Sequence, residues 1–277
     1  MKQVCSLLKI SVFSCYVILS LDAFAGDPYR LVAGAREAGM SYACVMKNDF
    51  WSFFHNPAGL AFNNSYSFGL NYESRFSIKE LGTRSAALVI PAGKASLGAI
   101  YSHFGYSDFK RQLAGIACGL GVTEKIAAGI QIDYFSEKIS GEYNNIQILT
   151  CEAGILISAS DKVKIGIHLF NPVPDSFRKI HVPARLSAGT GVSLSSSLFA
   201  GIEAEMTTDN NLVVRTGFEY EAVKKFWIRG GFSSANSSFS FGLGWLTKPF
   251  LIDVAFSTHE KLGITPSISI IYIISKN

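Results

Sequence analysis

From about Tyr66 to the C-terminus, apolar residues alternate with polar or small residues in one short segment after another. In the segment 212–221, every second residue is apolar, aromatic or threonine, and the residues between them, apart from Val213, are charged or glycine. A period of two gives a strand one apolar face and one polar face. Because lipid offers no hydrogen-bond partner to a backbone amide, a sheet that spans a membrane must close on itself. The pattern predicts a transmembrane β-barrel, although a soluble sandwich shows the same alternation in any single strand.

The N-terminus has the pattern of a secretory signal peptide. Lys2 and Lys9 precede the apolar stretch Ile10–Leu21, and Ala23-Phe24-Ala25 forms a small-x-small cleavage site. We expect residues 1–25 to be removed, because the alternative, a retained anchor helix, is disfavoured by the short apolar length and by Asp22.

Composition agrees with a barrel in a membrane. Charged residues make up 17% of the chain, against about 25% in typical soluble proteins. The formal net charge of +4 is modest and not clustered, so we expect no binding of nucleic acid.

Turn signals divide the chain into fourteen segments of strand length. The predicted strands are 65–75, 83–91, 94–105, 109–122, 125–138, 145–159, 162–172, 183–194, 197–207, 212–222, 225–234, 237–247, 249–258 and 264–275. An even number suits antiparallel closure, and most segments are long enough to cross a bilayer at a tilt. With both termini in the periplasm, every even-numbered connection is a short turn, and the longest connection, Asn171–Pro183, lies at the opposite end.

The face opposite the apolar one carries charges of both signs in nearly equal number. The predicted inward residues are Asp133, Glu152, Lys164, His168, Arg185, Glu203, Glu205, Arg215, Glu219, Arg229 and Asp253. Five of them form a charge ladder on three adjacent strands: Glu203, Glu205, Arg215, Glu219 and Arg229. The ladder is either structural, joining wall to plug, or a conduction path. We favour the structural role, because a selective channel is expected to favour one sign of charge.

Residues 26–62 do not alternate, and they contain the aromatic cluster Phe50, Trp51, Phe53 and Phe54. A barrel of fourteen strands is too wide for its own side chains to fill. We therefore predict an all-β fold: a 14-stranded antiparallel transmembrane β-barrel, residues 63–277, with a small N-terminal hatch of short helices and turns, residues 26–62, in its lumen.

Two separated motifs within residues 34–61 resemble the N-terminal signature of the PorV/PorQ-like branch of the FadL superfamily of outer-membrane barrels. The matching residues are Gly34, Ala35, Arg36, Ala38, Gly39 and Met40, and then Asn56, Pro57, Ala58, Gly59 and Leu60.

The resemblance implies a hatch whose tight turn spans residues 56–59. In that turn, proline would fix φ and Gly59 would supply a positive φ. We expect Arg36 to pair with one of the acidic wall residues Glu203, Glu205 or Glu219.

The function expected from these features is not enzymatic. The chain contains no Gly-x-Ser-x-Gly or His-Glu-x-x-His motif, and no cofactor or metal is expected. The resemblance implies location in the outer membrane of a Gram-negative bacterium. Our first interpretation is a subunit or docking platform of an outer-membrane protein assembly, with a link to type IX protein secretion. Its partners would be outer-membrane lipid and other outer-membrane or periplasmic proteins. The alternative is a FadL-like channel for small hydrophobic molecules, with an acyl chain or lipid as ligand.

Overall fold

The computed structural model describes residues 31–141, 145–173, 182–208 and 212–274. Its main element is a closed barrel of fourteen antiparallel strands. The strands are β1 (Tyr66–Ser74), β2 (Gly82–Ala92), β3 (Ala95–Gly105), β4 (Phe109–Gly121), β5 (Ile126–Ile139), β6 (Ile146–Ser158), β7 (Val163–Phe170), β8 (Arg185–Ser193), β9 (Leu198–Thr207), β10 (Leu212–Val223), β11 (Phe226–Ser233), β12 (Ser238–Thr247), β13 (Phe250–His259) and β14 (Gly263–Ile274). The predicted fold class is confirmed.

Each strand pairs with its neighbours in the chain, and β1 pairs with β14 to close the cylinder. In that closing pair, Tyr66 lies opposite Ile274 and Glu73 lies opposite Ser267. The strand ends agree with the predicted ends within two residues. The largest differences fall on the two strands that flank the longest connection: β7 ends at Phe170 instead of 172, and β8 begins at Arg185 instead of 183.

The alternation of residue types becomes an alternation of exposure. On β4, Ile116 is 66% exposed and the next residue, Ala117, is 5% exposed. On β5, Ile130 is 64% exposed and the next residue, Gln131, is 2% exposed. Apolar side chains thus cover the outer surface, as a barrel in lipid requires. Among the described residues, no helix has the length and hydropathy needed to cross a bilayer.

The hatch, described here for residues 31–62, folds into short helices. They are the α-helix α1 (Ala35–Gly39) and two 3-10 helices, Phe50–Phe54 and Pro57–Phe62. Helix α1 contacts β12 and β13, and the second 3-10 helix contacts β4, β5 and β6. The hatch therefore lies inside the barrel. The signal peptide expected at residues 1–25 lies outside the described residues.

The barrel has two distinct ends. The end at which β1 begins, here called the turn end, carries the short connections after β2, β4, β6, β8, β10 and β12. The opposite end, called the loop end, carries 3-10 helices at Arg75–Ser77, Lys79–Leu81 and Ala235–Ser237. It also carries the longest connection, between Phe170 and Arg185, of which 174–181 lie outside the described residues.

Candidate functional site: the contact between hatch and wall

Glu219 on β10 is the point at which the hatch is held most firmly. Arg36 of α1 donates two hydrogen bonds to its carboxylate, from Nε to Oε2 and from Nη2 to Oε1, both 2.7 Å long. Lys47 of the hatch adds a third contact, 2.9 Å from Nζ to Oε1. On the wall itself, Arg229 donates from Nε to Oε2 over 2.7 Å. One carboxylate thus binds three cations, and two of these belong to the hatch.

Of the three acidic wall residues predicted as partners of Arg36, the one that it contacts is Glu219. Glu203 binds backbone amides of the hatch instead of a side chain of the hatch. Its Oε2 accepts hydrogen bonds from the backbone amides of Cys44 and Val45, each 2.9 Å long. A carboxylate at two consecutive amides stabilises a bend of the hatch backbone, since hydrogen bonds to a charged acceptor are stronger than neutral ones.

The charge ladder continues around the inner wall in both directions. Arg215 contacts Glu203 at 3.3 Å and Glu205 at 2.9 Å. Arg229 joins Glu219 to the next acid, Asp253 on β13, at 2.7 Å. All eleven predicted inward residues lie on inward positions of the wall. Nine of them form linked pairs of opposite sign, which is the geometry expected of the structural role. The other two have neutral partners, since Lys164 donates to Asn48 and Asp133 accepts from Gln131.

The Asn-Pro-Ala-Gly-Leu motif forms the start of a 3-10 helix. The Asn56 side chain caps it by accepting a hydrogen bond from the Ala58 amide at 3.1 Å, and its Nδ2 donates to the carbonyls of Val45 at 2.8 Å and Ile155 at 3.1 Å. Pro57 occupies the first turn of the helix, where its missing N–H costs nothing.

The expectation of a positive φ at Gly59 was wrong. Gly59 lies inside the 3-10 helix Pro57–Phe62 and is not among the residues with positive φ. The reason for glycine is space, since a Cβ would come within 2.9 Å of the Lys47 carbonyl oxygen. The motif residue that needs positive φ is Gly34, at 106°, immediately before α1.

The hatch rests on glycines of the wall. A Cβ on Gly129 or Gly166 would overlap the hatch backbone, at Pro57 and Ala58 in the first case and at Val45 in the second. Other wall glycines against the hatch are Gly69, Gly98, Gly119, Gly154, Gly189, Gly217, Gly231 and Gly242. Glycine at inward positions lets the two backbones approach closely.

Three further motif residues pack against these glycines. Gly39 lies against Gly242, with 2.9 Å between its ideal Cβ position and the Gly242 Cα. Met40 packs over Gly217, and Leu60 packs over Gly119. The Ala35 amide donates to the Ser269 hydroxyl at 3.3 Å. Residues of both motifs therefore lie directly against the wall.

A continuous apolar layer, called here the apolar seam, lies between the hatch and the strands β14 and β1–β5. On the hatch it comprises Leu31, Ala33, Phe50, Trp51, Phe53, Phe54 and Leu60. On the wall it comprises Ala87, Val89, Ile100, Phe104, Leu113, Ala117, Phe135 and Ile271, with Leu81, Phe109, Leu251 and Ile273 packed against them. The seam extends from Leu81 and Phe104 at the loop end to Val89 and Ile273 at the turn end.

Glu37, which lies between Arg36 and Ala38 of the first motif, is a buried acid. Its side chain is 0% exposed, and neither carboxylate oxygen has a hydrogen-bond partner. Burial, reinforced by the nearby negative charge of Asp49, raises the pKa of Glu37 well above its ordinary range. A protonated carboxyl is the form that such an environment favours.

The sequence analysis missed several residues of this interface. Tyr42 of the hatch donates from its hydroxyl to Glu73 on β1 at 2.7 Å. Lys164 is one of the predicted inward residues, but its hatch partner Asn48, to which it donates at 2.6 Å, was not predicted. Arg111 and Glu137 form an ion pair on the inner wall near the loop end. The same alternation that located the ladder places Glu73, Arg111 and Glu137 on the inner face. The contacts of the hatch have no such periodic signal.

Comparison with known proteins gives a likeness of fold only. No protein-family model and no curated protein sequence matches the chain. Among solved structures, the toluene transporter TodX of Pseudomonas putida superposes with a TM-score of 0.68 at 10% sequence identity, covering 90% of this chain and 100% of that one. A FadL homologue of Pseudomonas aeruginosa superposes with a TM-score of 0.63 at 12% identity, covering 87% and 98%. The chain has the fold of these FadL-type outer-membrane barrels, and the PorV/PorQ branch is not confirmed.

Proposed function

We propose that this protein is a hatch-closed channel of the outer membrane that conducts small hydrophobic molecules. The observation that carries the proposal is the apolar seam, which extends from Leu81 and Phe104 at the loop end to Val89 and Ile273 at the turn end. Its residues are aliphatic and aromatic, so a hydrophobic solute that binds there removes apolar surface from water, which is favourable. The solved barrels of the same fold include one described as a toluene transporter, which supports this substrate class.

The two sides of the hatch suggest how the channel opens. On the side of β8–β13, directional ion pairs such as Arg36–Glu219 fix the position of the hatch. On the side of the seam, two hydrogen bonds join the hatch to β1 and β14, Tyr42–Glu73 and Ala35–Ser269. The large contacts of the seam itself are apolar and have no preferred direction. A solute of similar chemistry can replace them, so we propose that the hatch separates from the wall along the seam while its charged side stays attached.

Two engineered disulfides test this opening. In the first, L60C/G119C, the hatch is joined to β4 across the seam. The Leu60 Cβ lies 2.8 Å from the position of a Cβ on Gly119, and disulfides have Cβ–Cβ distances of about 3.5–4.5 Å, so a small outward shift accommodates the bond. In the second, S41C/S240C, the hatch is joined to β12 on the charged side, where the two hydroxyl oxygens are 2.9 Å apart.

The measurement is uptake of radiolabelled toluene by intact cells of a Gram-negative host that lacks its own FadL-type channels. We expect oxidised L60C/G119C to lose uptake and to regain it after reduction, whereas oxidised S41C/S240C retains uptake. The single-cysteine variants control for each substitution. Equal uptake by the oxidised and reduced forms of L60C/G119C, or uptake no greater than in cells without the protein, contradicts the channel.

The role as a subunit or docking platform, including the link to type IX secretion, stays a prediction. The short connections at the loop end are the feature that motivated it, since they supply little surface for an extracellular ligand. Purification in mild detergent distinguishes the two roles: partner proteins in fixed stoichiometry support the platform, and a bound hydrophobic molecule without a partner supports the channel.

A further inference from the structure

The outer surface of the barrel carries an asymmetric group of basic residues. Among the described strand residues that point outward, the charged or histidine side chains are Arg84, His103, Lys110 and Lys138. They lie on the four consecutive strands β2, β3, β4 and β5, all at the loop end. The acidic side chains on the described parts of the strands point inward. We call these four residues the basic patch.

The strand register brings the members of the basic patch together. Arg84 lies directly opposite His103, and His103 lies opposite Gln112. Two residues further toward the loop end on the same face, Lys110 lies directly opposite Lys138. Opposite neighbours of this kind have Cβ atoms about 4.5–5.5 Å apart, and diagonal neighbours about 7–8 Å. The four side chains therefore cover one compact area.

The basic patch has no neutralising partner. Among the described residues, Arg84, Lys110 and Lys138 make no ion pair, and His103 Nδ1 is buried without a hydrogen-bond partner. Among the described residues of the adjoining connections, the acids are Asp108 and Glu80, which are both exposed to solvent. Two adjacent lysines repel each other unless an anion lies between them.

The depth of the basic patch in the membrane is indicated by the outward residues that lie next to it on the side of the turn end. One step toward the turn end, the outward residues are Ala86, Tyr101, Ala114 and Tyr134, which are opposite one another in register. Tyr101 and Tyr134 are exposed, and Tyr101 accepts a hydrogen bond from Gln112 at 2.8 Å. Tyrosines of this kind mark the boundary between hydrocarbon and head groups. The basic patch begins just beyond that boundary.

On four other strands, the outward residues at the loop end are apolar. At the loop end of β8, β9, β12 and β13, the outward residues include Leu186, Met206, Phe239 and Phe256, which are all exposed and apolar. A general adaptation to anionic head groups would place basic residues around the whole circumference. Among the described residues of the strands, the outward basic side chains are restricted to β2–β5, which favours a single bound lipid.

We propose that the basic patch binds the phosphate groups of one phosphorylated glycolipid in the leaflet at the loop end. The lysines and Arg84 contact the phosphates, His103 and Gln112 contribute hydrogen bonds, and the tyrosines pack against the sugar and the start of the acyl chains. Basic pockets on membrane proteins recognise anionic head groups through this combination of charges.

The test uses the purified full-length barrel in detergent and lipid A as the probe, with binding measured by native mass spectrometry. The variant is R84Q/K110Q/K138Q. Its matched control is K94Q/K125Q/K162Q, which removes three exposed lysines from the turn-end connections. We expect the patch variant to bind lipid A about a hundredfold more weakly, since each basic side chain near an anionic surface contributes about fivefold. The control binds like the wild type.

Further arms identify the ligand. Lipid A from which both phosphates have been removed is expected to bind as weakly to the wild type as intact lipid A binds to the patch variant. Inorganic phosphate is expected not to compete. Equal affinity of both variants for lipid A, no preference for the phosphorylated form, or full competition by phosphate each overturns the proposal. Heat-dependent migration of both variants on gels verifies that the barrel is folded.

Discussion

The two halves of the interface between hatch and wall are built from different interactions. On the side of β8–β13, Glu203 and Glu219 hold the hatch through charged hydrogen bonds of defined direction, and Arg229 binds Glu219 from the wall. On the side of β14 and β1–β5, phenylalanines and a tryptophan of the hatch pack against aliphatic and aromatic wall residues. The hatch is one segment, but its two sides have different kinds of attachment.

The charged contacts and the apolar contacts have different effects on the hatch. A charged hydrogen bond loses its energy when its partners move by a fraction of its length, so the charged side determines where the hatch lies. Apolar contacts tolerate sliding and replacement because they depend on buried area and not on angle. The seam therefore packs the hatch against the wall without fixing its direction.

The largest effect is expected from removing the centre of the charged side. In Glu219→Gln, three cations lose their shared carboxylate in a buried site, and breaking a buried ion pair costs about 3–5 kcal/mol. We expect the hatch to become sensitive to limited proteolysis while the barrel stays folded. The measurement is the rate of cleavage within residues 31–62 of the purified protein.

Glu221→Gln is the matched control, on the same strand and the same face. Its carboxylate accepts a hydrogen bond only from the exposed Lys225 amide at 2.8 Å. It should leave the hatch protected. If Glu219→Gln is cleaved no faster than Glu221→Gln, the charged side does not hold the hatch.

A smaller effect is expected where the hatch backbone lies on a glycine. In Gly129→Ala, the new methyl group overlaps Pro57 and Ala58, and overpacking of this kind costs about 1–3 kcal/mol. Gly121→Ala is the control, because the nearest atom to its Cβ is the Lys94 carbonyl oxygen at 3.5 Å. We expect a lower melting temperature for Gly129→Ala alone, and equal melting temperatures would show that the hatch can yield at this point.

The smallest effect is expected at Glu37, and its sign is a gain. Because the pKa of Glu37 is raised in the folded protein, the unfolded hatch releases this proton at a lower pH than the folded one. Stability is therefore lost as pH rises above the ordinary carboxyl pKa. Glu37→Gln removes that loss.

We expect Glu37→Gln to raise the melting temperature by a few degrees at neutral pH and to have no advantage in acid. The measurement is the difference between the variant and the wild type across this pH range. A constant difference at every pH would mean that Glu37 is ionised in the folded hatch.

The sequence predicted the wall well and the hatch poorly, for a physical reason. In a barrel, alternation fixes both the face and the neighbours of a residue, so the inward positions of Arg215 and Asp253 follow from counting. The hatch has no such period. The choice of Glu219 by Arg36, the contribution of Lys47 and the spatial role of Gly59 depend on how the hatch docks, which no local pattern encodes.

The same limit applies to the family resemblance. The two motifs contain residues that lie against the wall, such as Gly39 and Asn56. They carry no information about what passes through or binds to the barrel, because their contacts are within the chain.

The closure of β1 onto β14 has a practical consequence. A cylinder in which every strand already has two partners has a fixed girth, so its conductance can be altered only by changing what fills it. Excising the segment between residues 31 and 62 would convert this protein into an open nanopore, lined on one side by charges of both signs and on the other by aliphatic and aromatic residues.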